Sequence, residues 1–204
     1  VSRSLAAVEG AILVVDATQG IQAQTLANAF LALEHNLKII PVINKIDLAA
    51  ADVSRVTEEL KSILGINPSE IISVSAKSGK NVEKVLEAVI AHIPAPHPAT
   101  LTSQLSVETK ALIFDSVYDS YKGVVAYVRV FQGDIKRGDR MKLLHTGQEI
   151  EVLEVGYFKP KYQNAPALFS GEIGYVVTGV KGVSEARVGD TIWKGNSLNP
   201  TSLP

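Results

Sequence analysis

An α/β unit followed by an all-β unit is the architecture this sequence predicts, on three observations. The first ninety or so residues alternate short apolar runs with segments of helical period. A proline cluster, Pro94-Ala-Pro-His-Pro-Ala, then interrupts the pattern. Beyond about residue 105 apolar side chains recur at every second position between glycine-containing turns. Strand–helix alternation builds a parallel sheet with right-handed crossovers, and period-two runs build antiparallel sheet.

The elements follow in order. Ala11-Ile-Leu-Val-Val is a continuous apolar run of the kind buried on both faces of a parallel sheet. Leu26, Ala29, Phe30 and Leu33 repeat at helical spacing and predict one apolar face. A second buried strand is expected from Lys38 to Ile43. Val56, Leu60, Ile63 and Leu64 mark a second helix, closed by Gly65 in the left-handed conformation. Ile71 to Val74 is a third strand. Asn81 is placed to cap a third helix, whose Val82, Val85, Leu86, Val89 and Ile90 share one face.

Residues 94–104 are expected to form a stiff proline-rich linker. In the second unit, 105–195, Val124, Ala126, Val128 and Val130 lie on one strand face, with Val125, Tyr127, Arg129 and Phe131 on the other. Lys136-Arg-Gly-Asp139 and Thr146-Gly-Gln148 read as turns. Leu153 and Val155 are out of phase with Ile150 and Val152, which predicts a β-bulge between them. Further strands are expected at Lys110–Asp115, Ile173–Thr178 and Thr191–Lys194. Six or seven short strands of this type suggest a small closed β-barrel. Residues 196–204 look like the start of another linker.

Composition excludes several classes of function. In 204 residues, 46% are hydrophobic and 20% charged, the proportions of a folded globular chain. A net charge of −1 provides no global positive field, so any nucleic-acid contact must be local. With no Cys, disulfides, thiolate metal sites and cysteine nucleophiles are excluded together. His35, His92, His97 and His145 are scattered without metal-ligand spacing and read as surface residues. The apolar runs fall far short of the ~20 residues a membrane span needs, and the opening residues carry no basic-then-apolar leader pattern. No catalytic residue is assigned.

The strongest chemical signal is Asn44-Lys45-Ile46-Asp47, directly after the second strand. Ligands of open α/β sheets bind at the carboxyl ends of the strands. Guanine offers two adjacent donors, its ring N–H and its exocyclic amine, and the Asp47 carboxylate can accept both. Adenine presents a mismatched pattern that leaves a carboxylate unpaired. The stem of Lys45 can cover one ring face, and Asn44 can tie neighbouring loops together or reach a ring nitrogen. Ser75-Ala76-Lys77 follows the next strand at the same end of the sheet. There the Ala76 N–H can face the guanine keto oxygen while Lys77 flanks the ring. Asp16, which ends the first strand, is read as the cap of a turn rather than a ligand contact. Lys122 and the Lys159-Pro-Lys-Tyr162 loop are candidates to meet RNA phosphates.

Asn44-Lys-Ile-Asp47 with Ser75-Ala-Lys77 resembles the fourth and fifth signature motifs of GTP-binding proteins. The string Ser2-Arg-Ser-Leu-Ala-Ala, Glu9-Gly-Ala-Ile-Leu-Val-Val-Asp-Ala17 and Gln24-Thr is similar to translational GTPases. Tyr121-Lys-Gly-Val-Val-Ala-Tyr-Val-Arg-Val130 and Arg137-Gly-Asp139 resemble their second domain. With Asp115-Ser, Val188-Gly-Asp-Thr191 and Leu203-Pro204, the combination most resembles the elongation factor 4 (LepA) family and its organellar relatives. The resemblance implies the C-terminal half of a P-loop GTPase domain over 1–93, three parallel strands with helices, then a translation-factor β-barrel. It implies GTP or GDP held here by the guanine moiety alone. It further implies a ribosome partner, contacted through rRNA and the small-subunit surface and acting on tRNA-bound ribosomes in back-translocation. A cytoplasmic setting follows, with a cell-membrane face or an organellar matrix as alternatives.

Neither Gly-x-x-x-x-Gly-Lys-Ser/Thr nor a post-strand Asp-x-x-Gly occurs in the sequence, so Mg²⁺ ligands and a phosphate cradle are expected only in an intact parent. The piece alone is expected to be hydrolytically inactive, and its first strand to expose an edge suited to self-association. The opening Val1 fits this reading of a truncated chain. Another translational GTPase, such as elongation factor G or a ribosome-protection protein, and a non-catalytic RNA-binding module are the alternatives.

Overall fold

The computed structural model describes residues 2–96, 108–180, 182, 185–197 and 200–203. His97, most of the expected linker, the start of the expected barrel and Pro204 lie outside the described residues. The chain divides into two compact units, Val1–Ala95 and Pro96–Pro204.

The first unit runs α1 (Ser2–Leu5), β1 (Gly10–Asp16), α2 (Ala23–Glu34), β2 (Lys38–Asn44), α3 (Val53–Leu64), a 3₁₀ turn (Pro68–Glu70), β3 (Ile72–Ser73) and α4 (Val82–His92). Its strands lie side by side in the order β1-β2-β3, all parallel. Asp16 pairs with Asn44 and Ile43 with Ser73, so the three carboxyl ends finish level. Alternation along β2 decides which helix packs where. Ile43 joins Leu13 and Val15 of β1 against Val56 and Leu60 of α3 on one face. Ile40 and Val42 turn to the other face, where Val85, Ala88 and Val89 of α4 cover them. Gly65 ends α3 with φ 67°, the left-handed cap expected from the sequence.

Two helices bury a different stripe from the one the periodicity suggests. In α2 the small residues Ala29 and Ala32 carry the contact, while Phe30 and Leu33 stay half exposed. Alanine lets this helix sit close to the sheet, and that rotates the larger side chains outward. In α4 Val82, Leu86 and Ile90 point to solvent, and Ile90 is 83% exposed. Asn81 precedes α4 but does not cap it with its side chain: its backbone is left-handed at φ 59°, and its amide donates to the Ser73 carbonyl at 2.8 Å.

β1 is an edge strand. Its Ile12 and Val14 face away from α3 and remain 44% and 54% exposed, so the uncovered edge read from the sequence is present.

Among its described residues the second unit holds ten strands, β4 to β13, where six or seven were expected. They are β4 (Thr109–Asp119), β5 (Gly123–Gln132), β6 (Asp134–Lys136), β7 (Arg140–Leu143), β8 (Glu149–Glu151), β9 (Glu154–Lys159), β10 (Lys161–Asn164), β11 (Ala167–Phe169), β12 (Ile173–Val177) and β13 (Thr191–Lys194). Eight form one sheet, β10-β9-β12-β5-β4-β13-β7-β8, and β11 pairs with β6. One core draws Val124, Ala126, Val128 and Val130 of β5 together with Met141 of β7, Ile150 of β8, Val155 of β9 and Leu168 of β11. Strands distant in the sheet order share this core, so the sheet curls into a barrel around it.

No bulge repairs the phase change at Leu153. The strand stops after Glu151 and a new one starts at Glu154, and the intervening Val152 and Leu153 donate to Asp139 and Val177 carbonyls. The expected Lys159–Tyr162 loop is the tight connection of the β9–β10 hairpin. Gly156 is required there, because any Cβ would strike the Gln163 carbonyl and the Tyr175 ring.

Leu60→Ala should destabilise the first unit by about 2–5 kcal/mol in urea unfolding, since its side chain is wholly buried. Ile90→Ser should change stability by no more than about 0.5 kcal/mol, although both positions are apolar and helical.

Candidate functional site: two corners at the carboxyl end of the sheet

The sequence-predicted residues fall on two corners, 44–48 after β2 and 75–80 after β3. Because the strands finish level, the corners stand side by side. Val74 donates to the Ile43 carbonyl at 2.8 Å and Ile46 to the Val74 carbonyl at 3.3 Å, which extends the pairing into the corners themselves.

Asn44 joins them. Its Oδ1 accepts the Lys45 N–H at 2.8 Å and the Ala76 N–H at 3.0 Å. This bridge holds Lys45 in the left-handed region, at φ 69°, which a residue with a Cβ seldom occupies. These two bonds tie the loops, one of the two roles expected of Asn44. It also takes up the Ala76 N–H that the sequence reading aimed at the guanine oxygen.

Ser75 makes the second tie. It is fully buried, its hydroxyl accepts the Ser78 N–H at 3.2 Å, and the same hydroxyl is the leading influence on the Asp47 carboxyl. The Ser75 hydroxyl, with a hydrogen bond inside Asp47 and the charge of Lys77, holds that carboxyl below the usual carboxylate range. Asp47 and Lys77 are both exposed. Ile46 turns inward and packs on the core beneath the corner. The site therefore presents an exposed anion and an amide on adjacent corners, flanked by two lysines.

Asp16 contributes more than the turn cap expected of it. Its Oδ1 accepts both the Thr18 N–H at 2.8 Å and the Thr18 hydroxyl at 2.7 Å. Its Oδ2 lies 2.7 Å from Lys45 Nζ. Hydrogen bonds from Lys45 and then Thr18 hold this carboxyl far below its ordinary value. The missed signal was topological: Asp16 and Asn44 end neighbouring parallel strands, so residue 45 must lie within reach of residue 16.

In the second unit, Lys122 is already engaged. Its Nζ pairs with Glu154 and lies 5.4 Å from the Tyr162 ring centroid and 5.6 Å from that of Tyr175. Tyr118, Tyr121, Phe158, Lys159 and Lys161 are exposed. Tyr127 hydrogen-bonds Tyr162 at 2.9 Å, and burial followed by that bond pushes its phenol up to about 12. Among the described residues no group of three or more His, Asp or Glu is arranged to hold a metal, and no helix is long and apolar enough to cross a membrane.

A three-stranded parallel sheet followed by an antiparallel barrel is the architecture that the comparisons with known proteins match. The family described as elongation factor Tu GTP binding domain matches residues 1–95, and elongation factor Tu domain 2 matches 123–193. The chain is 52% identical to elongation factor 4 of Rubrobacter xylanophilus over its whole length, and 56% identical to that of Dehalococcoides mccartyi over 98% of it. It spans 33% of the length of each of these relatives. The crystal structure of apo translation elongation factor SelB from Methanococcus maripaludis shares the fold, with a TM-score of 0.68 at 23% identity over 94% of this chain and 42% of that one. The chain belongs to the elongation factor 4 family of translational GTPases.

Ser75→Ala should raise the Asp47 pKa toward the ordinary aspartate value of about 3.9, as read from the carboxyl carbon in an NMR pH titration. The sign for stability follows. A carboxyl held low in the folded state stabilises it above the unfolded carboxylate range and ceases to do so as pH falls through the folded value. In Ser75→Ala the loss on acidification should be smaller and complete at higher pH. An unmoved Asp47 titration would contradict the influence assigned to Ser75.

Proposed function

We propose that residues 44–47 and 75–77 hold the guanine base of GTP or GDP, and that the chain serves as the base-recognition part of a ribosome-associated, elongation factor 4-type GTPase. The supporting observation is the Asn44 bridge, which sets the Asp47 carboxylate and the Ala76 amide on neighbouring corners. Asp47, ionised at neutral pH, accepts from the ring N–H and exocyclic amine. The Ala76 N–H, bonded to Asn44 in the free site, turns to or is shared with the keto oxygen. The stem of Lys45 covers one face of the ring, and Lys77 flanks it.

An anion, an amide and two lysine stems fit a base rather than a phosphate-bound cation. We assign hydrolysis to the longer proteins of the family and expect this chain alone to release no phosphate from GTP above the buffer rate. The second unit we assign to ribosome docking, in support of back-translocation on tRNA-bound ribosomes. Its exposed Tyr118, Tyr121, Lys159 and Lys161 suit stacking on RNA bases and contact with phosphates. The open edge of β1 is where we place self-association, and the cytoplasm is the setting such a function needs.

Equilibrium binding should favour GDP over ADP, and Asp47→Asn should reverse the preference toward xanthosine diphosphate. An amide presents a donor where the guanine amine needs an acceptor, and xanthine carries a keto oxygen at that position. Equal binding of GDP and ADP would overturn base reading and leave a non-catalytic binding module.

A further inference from the structure

Lys45 is exposed, and on its own its long side chain would sample many rotamers. It does not act on its own. The Asp16 oxygens divide their work: Oδ1 takes both donors of Thr18, and Oδ2 faces Lys45 Nζ at 2.7 Å. Thr18 is fixed in turn. Arg55 of α3 donates to the Thr18 carbonyl at 3.1 Å, and Glu59 accepts the Ile21 N–H at 3.0 Å while pairing with Arg55. Asp52, at the start of α3, donates its N–H to the Ala17 carbonyl at 2.9 Å. The turn after β1 is therefore clamped by α3, and the clamped turn aims a carboxylate at the ammonium of Lys45.

We infer that Asp16 is a positioning residue for base recognition: it anchors Lys45 Nζ so that the lysine stem is held across the end of the sheet as a preformed floor for the purine ring. The inference rests on the base-reading proposal and adds to it a residue outside both corner motifs. An anchored stem has less rotamer freedom to lose when the ring arrives, so the anchor contributes to affinity without touching the ligand.

A double-mutant cycle tests it. Asp16→Asn keeps an oxygen for Thr18 and removes the anion facing Lys45. Lys45→Met keeps an apolar stem and removes the ammonium. With GDP as the probe, Asp16→Asn should weaken binding roughly fivefold in the unmodified chain and should have no further effect once residue 45 is Met. A residue that only caps the turn would cost the same in both backgrounds, and that result overturns the inference while GDP-over-ADP preference in the unmodified chain leaves base reading standing. An Asp16→Asn chain that no longer folds, judged by circular dichroism, assigns Asp16 to structure alone and likewise overturns it. A chain with no preference for GDP over ADP overturns both.

Discussion

The site depends on one side-chain oxygen. Asn44 Oδ1 receives two backbone N–H groups from different corners, Lys45 at 2.8 Å and Ala76 at 3.0 Å. Lys45 and Ala76 lie outside any helix or strand, so without this bridge their amides would turn to water. Accepting both donors holds Lys45 in a left-handed conformation and brings Ala76 beside Asp47. The parallel register supplies the other half of the constraint, since β1, β2 and β3 finish level and deliver Asp16, Asn44 and Ser75 to one end of the sheet.

Electrostatics then follows from geometry. Asp16 and Asp47 both stay ionised because each has its own partners: hydrogen bonds from Lys45 and Thr18 for the first, the Ser75 hydroxyl and the charge of Lys77 for the second. An ionised Asp47 is a requirement for accepting two hydrogen bonds from a base edge. In the second unit the same logic is used for structure. Lys122 and Glu154 pair against the rings of Tyr162 and Tyr175, and that charge is spent on holding the outer aromatic layer together.

Much of this was legible in the sequence, and for stated reasons. Continuous apolar runs gave β1 and β2 because buried parallel strands need apolar residues on both faces. Placing Asn44–Asp47 and Ser75–Lys77 directly after strands put both segments at one end of the sheet, where ligands of such sheets bind, and the structure sets them side by side. Helix faces were less legible. Periodicity ranks large apolar residues first, yet α2 packs through Ala29 and Ala32, where close approach outweighs side-chain size. Strand β10 has no apolar pattern because Lys161, Gln163 and Asn164 are polar, and its packing comes through Tyr162 meeting the Phe158 and Tyr175 rings. The role of Asp16 was invisible for a related reason: it needs the pairing partner of β1, which no local pattern states.

The most direct measurement is a ¹H–¹⁵N NMR titration of this chain with guanosine and, separately, adenosine, free nucleosides that isolate the base from its phosphates. Guanosine should shift the Lys45, Ala76 and Lys77 amides together, and adenosine should leave them in place. Shifts confined to other surfaces, or identical for the two nucleosides, would contradict the account.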